Sequence, residues 1–220
     1  MNKRVQILRE ETLNTVPWIS HERAQLLTEF FRHAPTASMP VLRAQAFAYL
    51  LEHKELYIGP QDLIVGERGP APKGTPTFPE LCCHSLEDLD IMSSREKINY
   101  RVSEETRRIY DEDVIPFWHG KTMRERLFAA MTPEWKDAYE AGVFTEFMEQ
   151  RAPGHTVLDD KIYRKGFLDF LQEIKEALQQ LDFLNDPQAY YKQQEWKAME
   201  ISCQAIIRFA QRYAEKASGM

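Results

Sequence analysis

Apolar residues recur along most of this chain at spacings of three and four, as in helices that bury one face. The most regular run is Phe167, Leu171, Ile174, Leu178 and Leu181. A second run, Trp196, Met199, Cys203, Ile206, Ala210 and Tyr213, follows Asp186 and Pro187, which suit a helix start. Together they predict a helical hairpin turning at Asn185. Residues 3–14 and 21–33 read as two amphipathic helices, separated by Pro17 and by Ser20, whose hydroxyl is placed to cap the second. Pro40 opens a further helix, with Val41, Ala44, Ala48 and Leu51 on one inward face.

More helix starts follow from capping chemistry. Ser85 with Asp88, Ser103 with Glu104 and Glu105, and Thr132-Pro133-Glu134 each place an acceptor or an acidic first turn at a helix amino terminus. The clearest strand candidate is Asp62-Leu-Ile-Val-Gly66, short, branched and bounded by turn formers. Four prolines between Gly69 and Pro79 predict an extended wrapping loop with few backbone donors. Neither an internal repeat nor a linker stands out, so a single mostly helical unit is expected.

Composition narrows the function classes. A net charge of −6, from 34 acidic and 28 basic side chains, offers no basic face to displace phosphate counterions, so nucleic acid is excluded as an expected partner. No apolar run has the length of a signal-peptide core or a membrane span, which predicts a cytoplasmic protein. Cys82, Cys83 and Cys203 cannot all pair, and neighbours in sequence bridge poorly, so no disulfide framework is expected.

Cys82-Cys83-His84 lacks the further ligands that a metal site needs, and packing is the simpler reading of these thiols and of Cys203. Packing also accounts for Trp118, His119 and Trp135. The segment Phe144-Thr-Glu-Phe147-Met-Glu-Gln-Arg151-Ala-Pro-Gly154-His155-Thr156 is richer. It gathers aromatics, a guanidinium and an imidazole around a Pro-Gly break, where backbone can approach a ligand and His155 can exchange a proton near neutrality. Phosphate-cradling glycine loops and zincin pairs are lacking, so nucleotide and zinc chemistry have no support.

Asp62-Leu-Ile-Val-Gly-Glu67, Pro79-Glu-Leu-Cys-Cys-His84, Val114-Ile-Pro-Phe-Trp118, Met131-Thr-Pro-Glu-Trp135 and Glu149-Gln-Arg-Ala-Pro-Gly-His-Thr156 resemble, in order, the amino-terminal pyruvate formate-lyase-type domain of glycyl radical enzymes. The likeness runs from about Val5 to about Lys216 and is nearest the hydroxyproline dehydratase branch. It implies a mainly α chain: the helical outer layer of an α/β barrel of ten strands, with one candidate barrel strand. Residues 1–220 would be the amino-terminal portion of that domain, without the cysteine loop and the carboxy-terminal glycyl loop. Arg101-Val-Ser-Glu104 is similar to the glycyl loop's opening but has Glu where a radical requires glycine.

The resemblance further implies substrate contacts at Phe147, packing on a substrate ring, and at His155, in a polar network near the departing hydroxyl. Arg151 is given a structural role. No catalytic residue and no metal ligand is expected in the chain itself. The parent enzyme would need a glycyl radical installed by an S-adenosylmethionine iron–sulfur activating enzyme. It would then dehydrate trans-4-hydroxy-L-proline to pyrroline-5-carboxylate in anaerobic metabolism, as a homodimer. On this reading the chain alone is inactive, and its partners are the remainder of the enzyme, the activating enzyme and a small-molecule substrate. The alternatives are a sister lyase acting on isethionate or a diol, and a stand-alone helical interaction module.

Overall fold

In the computed structural model, which describes residues 2–144 and 159–220, several helices begin where a side chain offers a cap. α1 (Lys3–Asn14) starts behind Asn2, whose side chain accepts from the Arg4 N–H. Strand β1 (Trp18–Ser20) leads into α2 (Glu22–Arg32). α3 (Met39–His53) carries Pro40 in its first turn, where an N–H would lack a helical partner in any case. Strand β2 (Gly74–Pro76) comes next, then α4 (Leu86–Ser94), opened by a reciprocal capping box between Ser85 and Asp88. Ser103 caps α5 (Glu104–Ile109), which continues through a π-helical turn, Tyr110–Val114, into α6 (Ile115–Trp118). Thr122 and Glu125 box the start of α7 (Met123–Ala130), and Thr132 caps α8 (Pro133–Glu140). A 3₁₀ turn at Asp159–Tyr163 precedes α9 (Phe167–Gln179) and α10 (Ala189–Ser218).

The π turn has a local cause. Pro116 has no N–H for the carbonyl four residues back, and the widened turn lets the Ile115 N–H reach five residues back to the Tyr110 carbonyl. Tyr110 and Val114, at its two ends, are fully buried.

The backbone divides into two compact units where the sequence suggested one: Met1–Thr28 with Glu55–Gly154, and Glu29–Lys54 with His155–Met220. In the first, β1 and β2 pair in parallel with Trp18 opposite Gly74 and Ile19 opposite Thr75. Arg101 extends the ladder on the other side of β1, its carbonyl accepting from the Ile19 N–H at 3.0 Å. Gly74 is required here, because a Cβ would lie 2.9 Å from the Trp18 ring. Ile19, Leu27, Leu89, Ile109, Tyr110, Val114 and Trp118 form the core. The Trp118 indole donates to the Thr28 hydroxyl at 2.9 Å, which donates to the Ala24 carbonyl at 2.7 Å, so the buried polar atoms are satisfied.

Two expectations are corrected in this unit. Asp62–Gly66 forms no strand: Asp62 instead accepts the Gly59 N–H at 2.8 Å in a turn. Leu63 and Ile64 are 81% and 87% exposed, and no strand among the described residues lies alongside to complete a ladder. Branched side chains favour extension, but a strand exists only when paired. Ser20 does not cap α2, because it belongs to β1; His21 stands at the boundary, its carbonyl accepting from Gln25.

The second unit is α3, α9 and α10, with α10 packed on α3 and, less extensively, on α9. Asp182 accepts the N–H groups of Leu184 and Asn185, which makes the hairpin turn where it was expected. The face α10 buries is not the anticipated stripe. Ala198 and Ala205 are buried, while Met199 is 47% exposed and Ala210 is exposed. α3 likewise buries small residues, Ala44 and Ala46, and side-chain size did not predict that. Arg212 and Arg208 of α10 fasten the contact, Arg212 to the carbonyls of Leu51 and Lys54 and Arg208 to Glu52.

Thr122→Ala removes the hydroxyl that accepts from the Glu125 N–H at 3.1 Å, leaving a helix donor unpaired. The expected result is a loss of about 1 kcal/mol in denaturant unfolding, with Thr122→Ser recovering most of it.

Candidate functional site

Phe147 and His155, the expected substrate contacts, and Arg151 lie outside the described residues. The chain that leads to them is described as far as Phe144. α8 ends in a pair of closing bonds, Gly142 N–H to the Tyr139 carbonyl at 2.9 Å and Val143 N–H to the Ala138 carbonyl at 3.0 Å. Gly142 takes a φ of +72°, which glycine adopts without strain. Phe144 then meets Trp135 edge-on at 5.2 Å and Tyr139 at 5.9 Å. Trp135 therefore does pack, but on Phe144 and not in a core, for it is 58% exposed.

The structure gathers Cys82, Cys83, His84, Trp118 and His119, which had been assigned separately to packing. With Thr122, Arg124 and Glu125 they line one cavity of about 220 Å³. Two backbone bonds bring them together. The first N–H groups of α7, at Met123 and Arg124, have no helical acceptors and donate to the carbonyls of Glu80 and Leu81, docking the Pro79–His84 motif against the helix. Gly120, at φ +74°, turns the chain from α6 towards that start.

Burial and hydrogen bonding set the protonation of the cavity's groups. Burial pushes the Cys83 thiol up to about 11, aided by the nearby charges of Glu125 and Asp88, so at neutral pH it is neither a nucleophile nor a thiolate ligand. Burial lowers the pKa of His84 against the opposing pull of Asp88, favouring a neutral imidazole. Burial would raise the Glu125 pKa, but hydrogen bonds from Gly120 and Thr122 outweigh it and keep the carboxylate charged. Among the described residues no three His, Cys, Asp or Glu side chains converge as metal ligands would. Nothing in sequence spacing signals the cavity, since its walls join through main-chain bonds about forty residues apart along the chain.

His84 carries a pH prediction. Its folded pKa lies below the unfolded value of 6.5, so between the two the unfolded state takes up a proton that the folded state refuses. Its contribution is complete above about pH 6.5 and is lost as pH falls through the folded value. His21, also lowered by burial, acts in the same direction. Urea midpoints should fall from pH 7.5 to pH 5.5, and His84→Gln should flatten that slope. An unchanged midpoint in the parent chain would contradict this.

Comparison with known proteins places the chain. It belongs to the pyruvate formate lyase-like family, whose pattern matches residues 1–220. It is 52% identical over 219 residues to trans-4-hydroxy-L-proline dehydratase of Clostridioides difficile, covering 99% of this chain and 28% of that protein. The crystal structure of that dehydratase with trans-4-hydroxy-L-proline bound superposes with a TM-score of 0.92. The B12-independent glycerol dehydratase of Clostridium butyricum, 31% identical, superposes with a TM-score of 0.88 over 99% of this chain and 28% of that one. Isethionate sulfite-lyase of Nitratidesulfovibrio vulgaris is 29% identical over 230 residues, covering 99% of this chain and 27% of that protein. The chain thus spans little more than a quarter of the length of the relatives it matches. The mainly helical architecture agrees with the expected outer layer of this fold.

Proposed function

We propose that this chain is the amino-terminal part of a glycyl radical lyase that dehydrates trans-4-hydroxy-L-proline to pyrroline-5-carboxylate. The observation that carries this reading is the difference in identity: 52% to the hydroxyproline dehydratase against 29% to the isethionate lyase, each over 99% of the chain. A glycyl radical supplies hydrogen-atom abstraction through a cysteine. The residues described here do not fit that role. Glu104 opens α5 where the radical would need a glycine. Both the glycine and the reactive cysteine are assigned to polypeptide outside this chain, with the radical installed by an S-adenosylmethionine iron–sulfur activating enzyme.

What this chain contributes, in the proposal, is the substrate wall. Phe147 packs against the pyrrolidine ring, and His155 holds a proton at the C4 hydroxyl so that it departs as water. The balance closes, since the substrate loses one water and becomes the imine. No helix among the described residues is long and apolar enough to cross a membrane. A cytoplasmic homodimer is part of the same proposal.

The test is a chimera in which this chain replaces the matching 28% of the Clostridioides difficile dehydratase. Activated anaerobically and offered trans-4-hydroxy-L-proline, isethionate and glycerol in turn, it should yield pyrroline-5-carboxylate alone. Sulfite from isethionate, or an aldehyde from glycerol, would assign the chain to a sister lyase.

A further inference from the structure

We infer that α1 is a releasable strap, latched to the loop ahead of β2 by the side chain of Lys73, and that it opens as a unit while the core around Tyr110 stays folded.

Burial does not hold α1 in place. None of its 12 residues is buried, and Val5, Ile7 and Leu13 are exposed. Among the described residues it makes no extensive contact with another helix or strand. A helix of that length is marginal in water without a packed face, so polar contacts must attach it. The described ties reach the stretch from Tyr57 to Lys73. Arg4 donates to the Gln61 carbonyl at 2.7 Å, and the Tyr57 hydroxyl reaches Glu11 at 3.5 Å. Lys73 holds the far end, its ammonium donating to the Thr12 carbonyl and, at 2.7 Å, to the Thr15 carbonyl. Helical donors have run out there, and a cation is favoured by the aligned peptide dipoles.

The latch is carried on a fixed backbone. The Lys73 carbonyl accepts from the Trp18 N–H at 3.3 Å, and the Pro72 carbonyl accepts from the Trp18 indole at 3.1 Å. The Gly74 N–H closes the turn on the Ala71 carbonyl at 3.1 Å. Within it Lys73 takes a φ of +57°, a left-handed conformation that side chains disfavour. A lysine held where glycine would sit without strain points to a use for the side chain, and the two α1 carbonyls are that use. Lys73 also lines a cavity of about 380 Å³ with Pro17, Arg68, Thr75 and Tyr100, so opening of the strap leaves a freed ammonium beside that space.

Hydrogen exchange read by mass spectrometry on the dilute 220-residue chain tests this. In the parent, amides of α1 should exchange faster than those of Tyr110–Trp118. Lys73→Met, which keeps the length and loses the donors, should speed α1 exchange about tenfold and leave Tyr110–Trp118 unchanged. Lys73→Gly relieves the backbone and should free α1 to the same extent, whereas Lys73→Arg keeps a cation at the carbonyls and should retain most of the protection. If the Lys73 variants do not accumulate, Arg4→Ala, which breaks only the Gln61 bond, should speed α1 exchange by about threefold. Three results would overturn the strap: α1 as protected as Tyr110–Trp118 in the parent, exchange rising equally in both segments on substitution, or no change in α1.

Discussion

His155→Ala, placed in the chimera, will lower kcat by about 10²- to 10⁴-fold, the usual worth of a positioned general acid or base. Hydroxide is a poor leaving group, and a proton delivered to the C4 oxygen as the carbon–oxygen bond breaks removes that penalty. Imidazole suits the task because its unperturbed pKa lies near neutrality. In the parent chimera kcat should fall as pH rises and a general acid is titrated away, and the variant should lack that limb of the profile. Radical content should stay unchanged, since His155 takes no part in generating it. Anaerobic kinetics across pH 6 to 9, normalised to spin count, check this; a variant with full kcat would remove His155 from the chemistry.

The chain on its own will bind hydrophobic dye and associate as its concentration rises. Leu184 is 95% exposed, and Leu63, Ile64, Leu168, Phe183 and Tyr191 are exposed with it. Isolated apolar residues at a surface are ordinary, but on the proposed reading this many large ones, on a chain that spans 28% of its relative's length, are faces that other polypeptide covers. Burying each such side chain contributes about 1.5 to 3 kcal/mol. Withholding even a few takes away a large share of a typical stability of about 5 to 15 kcal/mol. Light scattering and dye fluorescence against concentration, with a thermal melt, are the measurements. A monodisperse monomer with a sharp transition and no dye binding would favour a self-sufficient interaction module.

What could be read in the sequence follows the range of the forces involved. Helix starts were legible because capping is settled within four residues: Ser85 with Asp88, Ser103 and Thr132 all cap where they were expected to. The hairpin turn at Asn185 was legible for the same reason, since Asp182 closes it locally. The failures all involve distant partners. Leu63-Ile-Val65 has strand-forming side chains and no strand beside it. Trp18–Ser20 is a strand only because Gly74–Pro76, more than fifty residues on, pairs with it, and the proline run hid that partner. The fully buried positions of α10 are alanines, which its larger residues did not reveal. The cavity between the Cys82–His84 motif and α7 depends on orphan N–H groups finding remote carbonyls, so no spacing announced it. For Phe147 and His155 the support is the ordered motifs and the identity to the dehydratase.

If this chain completes a hydroxyproline-dehydrating enzyme, reconstitution in two pieces will restore the activity. The chain is mixed with the remaining polypeptide of the Clostridioides difficile dehydratase, expressed separately and treated with its activating enzyme, and trans-4-hydroxy-L-proline is followed to pyrroline-5-carboxylate. The expected result is a one-to-one complex, loss of dye binding as the two associate, and product formation that requires both pieces. A complex that carries a glycyl radical yet leaves trans-4-hydroxy-L-proline untouched, or two pieces that never associate, would contradict it.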